Sequence, residues 1–425
     1  MGALPKSRKR RGLLRRFLAV LGPGLVTGAA DDDPSGIATY SIAGAQLGTS
    51  LAWTAFITWP LMAAVQMMCA RIGMVSGYGL AEALRKKFSK PVVAAAALSL
   101  LAANIINIGA DLSGMAAASE MLTGINSHVY VIIFGLGISA ATVWLRYSQI
   151  AKTLKWLALF LLAYIITAFL LRPDWHSVMR DAVLPSLPRG KTAWAMLVAI
   201  LGTTISPYLF FWQASQEVEE EKSVGRLQTI DRLGASDREI INRKLDIGVG
   251  TFFSNLVMFF IIVTTALTLH QHGITNIETS RQVAEALRPL AGQGCFLLYT
   301  VGIIGVGLLA IPTLSGSAAY ALAETFGWEQ GLDEKLERAR AFYAVVLLST
   351  AVGIALDFAN VNPVKALYWT AILNGLLAPF LLVGILLVAS DREIMQNQPS
   401  SLLGRITVGI TTAAMFAAGI AMFVL

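Results

Sequence analysis

Charge is what this sequence has least of. Only 14% of its 425 residues are Asp, Glu, Lys or Arg, against about 25% in a soluble domain. That shortage excludes an ordinary water-soluble enzyme. The net charge of +7 then belongs to loops facing the cytoplasm rather than to a nucleic-acid surface, and no nucleic-acid partner is expected. Cysteine is nearly absent. Cys69 and Cys295 fall in different apolar segments, toward opposite membrane faces in the topology below, so no disulfide is expected. The four histidines (His128, His176, His270, His272) lie at or beyond segment ends. No two converge as zinc ligands do, and His270 and His272, two residues apart, diverge on a helix. A cleavage site is missing as well: the basic start from Lys6 to Arg16 leads into a segment longer than a signal core, so no cleavable signal peptide is expected.

What fills the chain is apolar. Hydrophobic residues make up 56% and mean hydropathy is +0.64. Counting runs of about 20 apolar residues as spanning units yields eleven. They lie near 17–45 (broken), 49–74, 92–121, 128–146, 151–171, 192–216 (broken), 247–269, 294–323, 341–358, 364–389 and 404–425. The expectation is an all-α integral membrane protein with eleven transmembrane helices in the cell membrane, its partner the lipid bilayer. With the N-terminus inside, 25 of the 33 Lys and Arg fall in inside stretches and 7 in outside ones, Arg71 at a helix end completing the set. That asymmetry places the N-terminus in the cytoplasm and the C-terminus outside. The acidic run Glu217–Glu221 reads as the solvated surface of a cytoplasmic loop.

Two segments are interrupted. The first carries Asp31-Asp32-Asp33-Pro34-Ser35-Gly36 inside an otherwise apolar run. An ionised group at mid-membrane costs roughly 2.5–3.5 kcal/mol, and such groups mark ion paths. Pro34 removes a backbone donor, so the helix breaks and turns free carbonyls toward a cavity. The sixth segment carries Gly202-Thr203-Thr204-Ile205-Ser206-Pro207-Tyr208. The two breaks open successive groups of five segments, and that pairing points to a 5+5 inverted-repeat transporter with its site between the breaks. A basic stretch 1–16, a core 17–389 (repeats about 17–171 and 192–389) and a last helix 404–425 follow. Elsewhere polar content is thin. Asn104, Asn107 and Asp111 share one face of the third segment. Thr370 and Asn374 stack on the tenth, facing the cavity or joining helices. Pro312 and Pro379 read as kinks.

Further motifs carry a resemblance. Gly22-Pro23-Gly24, Asp33-Pro34, Ala38-Thr39 and Ala43-Gly44-Ala45 resemble the first helix of the Nramp family of divalent-metal transporters. Ala70-Arg71-Ile72-Gly73, Leu80-Ala81-Glu82-Ala83, Ala110-Asp111-Leu112, the region of Pro207, Asn362-Pro363 and Ala378-Pro379-Phe380 extend it over nearly the whole chain. The resemblance implies a LeuT-like fold, a transported metal rather than a bound cofactor, and no enzymatic activity. It also implies metal ligands at Asp33 and at the carbonyls of Ala30 and Thr203. The site departs from the family's pattern. Asp-Pro-Gly-Asn becomes Asp33-Pro34-Ser35-Gly36, Met-Pro-His becomes Ser206-Pro207-Tyr208, and Asp-Leu-Ala-Glu becomes Asp111-Leu112-Ser113-Gly114.

The departures have a direction. Thioethers favour transition metals, whereas carboxylates, carbonyls and hydroxyls suit magnesium, calcium or manganese. Ser206 for methionine and Gly36 for asparagine make the site harder and roomier, fit for a partly hydrated magnesium ion. The resemblance is then closest to the Nramp-related magnesium transporters, with manganese as secondary substrate. Loss of the histidine and of one acid argues against proton coupling. Asp31, Asp32, Ser35, Tyr208, Asp111, Asn107, Thr370 and Asn374 are expected around the site. A proton-coupled manganese or iron importer is the alternative, and a non-transporting scaffold the remote one. Three carboxylates at the break disfavour an organic substrate bearing its own carboxylate.

Overall fold

Cap and proline chemistry decide where the helices begin. In the computed structural model, which describes residues 27–424 apart from 29, 145–159, 187–189 and 360, helix α1 (Pro34–Leu47) starts with Pro34 in its first turn and Asp33 as N-cap. A proline costs nothing there, because its missing N–H would be unpaired in any case. Helix α2 (Trp53–Ser76) and the short α3 (Leu80–Lys87) lead to α4 (Lys90–Thr123) and α5 (Ser127–Trp144). Then come α6 (Leu162–Leu170), α7 (Trp175–Val183), α8 (Lys191–Thr204) and α9 (Pro207–Ser223), the last again opening on a proline behind Ser206. Helix α10 (Asp237–Thr268) opens on a Ser236–Glu239 capping box, which starts it ten residues ahead of the apolar run at 247. The chain closes with α11 (Cys295–Phe326), α12 (Arg340–Asp357), α13 (Pro363–Ser390) and α14 (Leu402–Val424). Gly77 and Gly124, at φ 69° and 72°, end α2 and α4 in the left-handed region that a side chain disfavours.

Among the described residues nine helices are long and apolar enough to cross a membrane. They correspond to nine of the eleven expected segments. The other two are the first and the fifth, which extend into residues 17–26 and 151–159, outside those described; their described parts are α1 and α6. Apolar side chains such as Leu136, Phe380 and Leu403 face outward, as a bilayer solvent requires. Pro312 and Pro379 lie inside α11 and α13, and Pro60 inside α2. Both cysteines are free and buried.

Packing follows the internal repeat. Helix α1 lies along α10, the second helix of the second repeat, and α9 lies along α2, the second helix of the first. The equivalent helices α4 and α11 make the most extensive contact in the molecule. Exchanging the two halves maps these pairs onto one another, which is how a pseudo-two-fold repeat packs.

One expectation is overturned here. The acidic run 217–221 is not a solvated loop, because α9 continues through it to Ser223. Glu217 is buried and binds Arg243 Nε of α10 at 2.7 Å, while Arg243 also meets Asp246 at 2.7 Å and Glu220. The run turns a charged face onto a buried arginine 22–26 residues away, a pairing that no local pattern announces.

Candidate metal centre

The first break falls at 32–33. Residues 30 and 31 are helical, Asp32 and Asp33 leave the helix, and α1 resumes at Pro34. Asp33 adopts an extended backbone and turns its carboxylate onto the new helix. Oδ1 accepts from Gly36 N at 2.7 Å and from Ser35 Oγ at 2.8 Å, and Oδ2 accepts from Asn107 Nδ2 of α4 at 3.2 Å. The carboxylate thus sits at the positive end of α1 while remaining next to the space between the helices.

The second break repeats this arrangement with a hydroxyl. Helix α8 ends at Thr204, and Ser206 N-caps α9 without a side-chain cap bond. Its hydroxyl turns back instead and reaches the carbonyls of Thr203 at 2.7 Å and Gly202 at 2.9 Å. Tyr208 donates its phenol proton to the Ala30 carbonyl at 2.9 Å, joining the two breaks directly. Tyr40 and Thr204 meet at 3.2 Å across the same gap. A Cβ added to Gly36 would lie 3.2 Å from Thr203 Oγ1 and 3.4 Å from the Asp31 carbonyl oxygen. The two interruptions therefore face each other, with Ala30 O held from the second break and Thr203 O held within it.

The remaining candidates divide. Asn107 reaches the break through Asp33, while its neighbour Asn104 bonds Leu314 O and Ser317 Oγ of α11 and acts as helix–helix glue. Asp111, one turn beyond Asn107 on α4, is fully buried with neither carboxylate oxygen in a hydrogen bond. Asp31 and Asp32 turn away from α4 toward Ser254 of α10. On α13, Thr370 bonds back to Leu367 O in its own helix, and Asn374 is buried with its Nδ2 unpartnered. Among the described residues no three His, Cys, Asp or Glu side chains converge as a metal-holding group. A cation between the breaks would therefore draw on carbonyl and hydroxyl oxygens beside Asp33, as hard cations do.

Several participants carry no local signal. Ser254 is one hydroxyl in an apolar helix. A buried chain runs from Thr27 to Gln213 (2.7 Å), on to Glu217 (2.6 Å) and then to Arg243, tying the segment ahead of α1 to α9 and α10. Glu324 of α11 accepts from Ala81 N at 2.8 Å, Glu82 N at 3.3 Å and Ser215 Oγ at 2.9 Å, so it caps α3 from another helix. Each could be suspected only as a polar residue in an apolar stretch, without its partner.

Paired helix breaks at equivalent places of two packed repeats define an inverted-repeat membrane transporter with a LeuT-like fold. A family model described as Nramp, natural resistance-associated macrophage protein-like, matches residues 24–425. The chain belongs to the Nramp family. It is similar to the divalent metal cation transporter MntH of Aeromonas hydrophila, 24% identical over 419 residues that cover 93% of this chain and 94% of that protein. In fold it is similar to the Eremococcus coleocola manganese transporter, with TM-score 0.74 and 17% identity over 99% of this chain and 89% of that one. It is also similar to Mhp1, a nucleobase-cation-symport-1 family transporter, with TM-score 0.57 and 15% identity over 95% and 90% of the two chains.

Proposed function

We propose that this chain is a transporter of divalent metal cations, not an enzyme, and that it favours a hard, partly hydrated ion, magnesium ahead of manganese, without obligatory proton coupling. One observation carries the reading: among the described residues the groups that the two breaks themselves turn toward each other are oxygen donors, and the one thioether in contact with them, Met258 Sδ at 3.8 Å from Thr204 Oγ1, belongs to α10 and to neither break. Asp33 supplies the charge, and the carbonyls of Ala30 and Thr203 with Ser206 Oγ supply neutral oxygens. Contrary to the expectation from the sequence, Gly36 does not make the site roomier: its bare backbone lets Thr203 Oγ1 and the Asp31 carbonyl come close. In the conformation described, Tyr208 and Ser206 hold the two carbonyls, so ion binding exchanges those hydrogen bonds for coordination. Asn107 steadies Asp33. Ser35 does the same from the helix side, and Asp111, Thr370 and Asn374 line the approach.

The core 17–389 forms the two repeats, preceded by the basic stretch 1–16 and followed by the helix at 404–425. The excess of Lys and Arg in alternate loops supports a cytoplasmic N-terminus and an extracytoplasmic C-terminus in the cell membrane. A second reading is a proton-coupled manganese or iron importer; the names of the relatives, one a divalent metal cation transporter and the other a manganese transporter, support its manganese part. Purified protein in liposomes separates the two. Uptake of magnesium, manganese and iron is followed together with internal pH. Magnesium uptake without acidification is expected. Uptake confined to manganese or iron with stoichiometric proton movement overturns the hard-ion reading, and no uptake of any of the three removes the transport reading altogether.

A further inference from the structure

The three consecutive acids are not one cluster. Asp33 turns onto α1 and α4, whereas Asp31 and Asp32 turn onto α10. What aims them there is the crossing one turn earlier. Gly28 meets Gly250 so closely that a Cβ on Gly28 would lie 2.9 Å from Gly250 Cα. Two bare backbones in contact bring the next turn of each helix within side-chain reach. There, Asp31 Oδ2 lies 2.8 Å and Asp32 Oδ1 3.1 Å from the same atom, Ser254 Oγ. A serine hydroxyl has one proton to donate, so it cannot satisfy both carboxylates at once. Asp31 Oδ1 is buried with no hydrogen-bond partner. Among the described residues neither acid forms an ion pair with a Lys, Arg or His. Two adjacent buried carboxylates without a positive partner are strongly unfavourable unless a cation or protons accompany them.

We infer that Asp31, Asp32 and Ser254 form a second binding position for a hard divalent cation, separate from the one at Asp33. The donor set is oxygen only: up to four carboxylate oxygens and the Ser254 hydroxyl, which becomes a ligand through its lone pairs once its proton turns aside. Two carboxylates match the charge of a divalent ion and overcompensate a monovalent one. The position lies on the α10 side of the break, whereas Asp33 faces α4. This inference rests on the reading that the break handles divalent cations.

Binding stoichiometry tests it on the full-length protein in detergent, with manganese as the probe in equilibrium dialysis and magnesium as competitor. The wild type is expected to bind about two equivalents. Asp33→Ala is expected to lose one of them. The double substitution Asp31→Asn, Asp32→Asn is expected to lose the other and keep the one at Asp33. Ser254→Ala removes a single hydroxyl and is read in the same way, should the double variant fail to fold. A wild type binding one equivalent that Asp33→Ala removes and the α10-side variants leave intact overturns the second position while the proposed function stands. One equivalent lost in either set of variants means a single shared site and also overturns it. No binding to the wild type removes the proposed function itself, and the second position with it.

Discussion

Tyr208 sits where a small chemical change separates structure from function. Its hydroxyl bridges the breaks by a buried bond to the Ala30 carbonyl, one of the oxygens proposed to meet the ion. A hydrogen bond of this kind is worth about 0.5–1.5 kcal/mol net. Tyr208→Phe keeps the ring and frees the carbonyl, so the ion no longer competes with the phenol. The KM for manganese uptake is expected to fall by roughly fivefold, the ratio that about 1 kcal/mol represents. An unchanged KM would mean that the Ala30 carbonyl is not part of the binding step. Ser206 tests the other break. Ser206→Met places a thioether beside the Thr203 carbonyl, and soft ligands select softer metals. The ratio of cadmium to magnesium uptake is expected to rise, and an identical ratio in wild type and variant would refute the argument from donor hardness.

At the scale of the helices, backbone proximity is the controlling quantity. Helices α8 and α13 approach so closely that a Cβ on Gly202 would lie 2.6 Å from Gly375 Cα, as well as against the Ala371 carbonyl. Backbone atoms cannot turn aside as a side chain can, and overpacking typically costs about 1–3 kcal/mol. Gly202→Ala is therefore expected to lower the thermal midpoint in detergent. Gly137→Ala on α5, where nothing lies within 4 Å of an added Cβ, is expected to be neutral or stabilising, because alanine is favoured over glycine in a helix by up to about 1 kcal/mol. Equal midpoints for the two variants would show that the α8–α13 contact is looser than described. These elements also show what a sequence can and cannot disclose. Both breaks were legible, since Asp33-Pro34 and Ser206-Pro207 each join a capping residue to a proline, a signal contained in two positions. Helix α13 was legible as the apolar run at 364–389, and its start is fixed by the Asn362 cap and Pro363. Helix α10 starts at Asp237, ahead of the apolar run, because its first turns are charged and hydropathy begins only later. Glu217 with Arg243, Glu324 with Ala81, and Asp31 and Asp32 with Ser254 are long-range pairs. Each depends on which helix faces become neighbours, and periodicity along one segment is silent about that.

For the molecule as a whole, the driving force on the ion is the quantity to measure. An uncoupled carrier of a divalent cation responds only to its concentration gradient and to membrane potential, which is worth about 2.3 kcal/mol per charge per 100 mV, hence about 4.6 for a divalent ion. At about 1.4 kcal/mol for each tenfold, a potential of 100 mV, inside negative, would sustain accumulation of roughly 2,000-fold. A carrier that also required protons would respond to a pH gradient at constant potential. The proposed function corresponds to the first case: the positions carrying histidine and the second acid in the Nramp pattern hold Tyr208 and Gly114 here, and Asp111 alone remains on that stretch of α4. In liposomes whose potential is set by a potassium gradient and valinomycin, magnesium uptake is expected to increase steeply as the interior becomes more negative. Collapsing a pH gradient at fixed potential is expected to leave the rate unchanged. Uptake that stops when the pH gradient is removed would assign Asp111 a proton to carry, and would place the molecule with proton-coupled transporters despite its harder site.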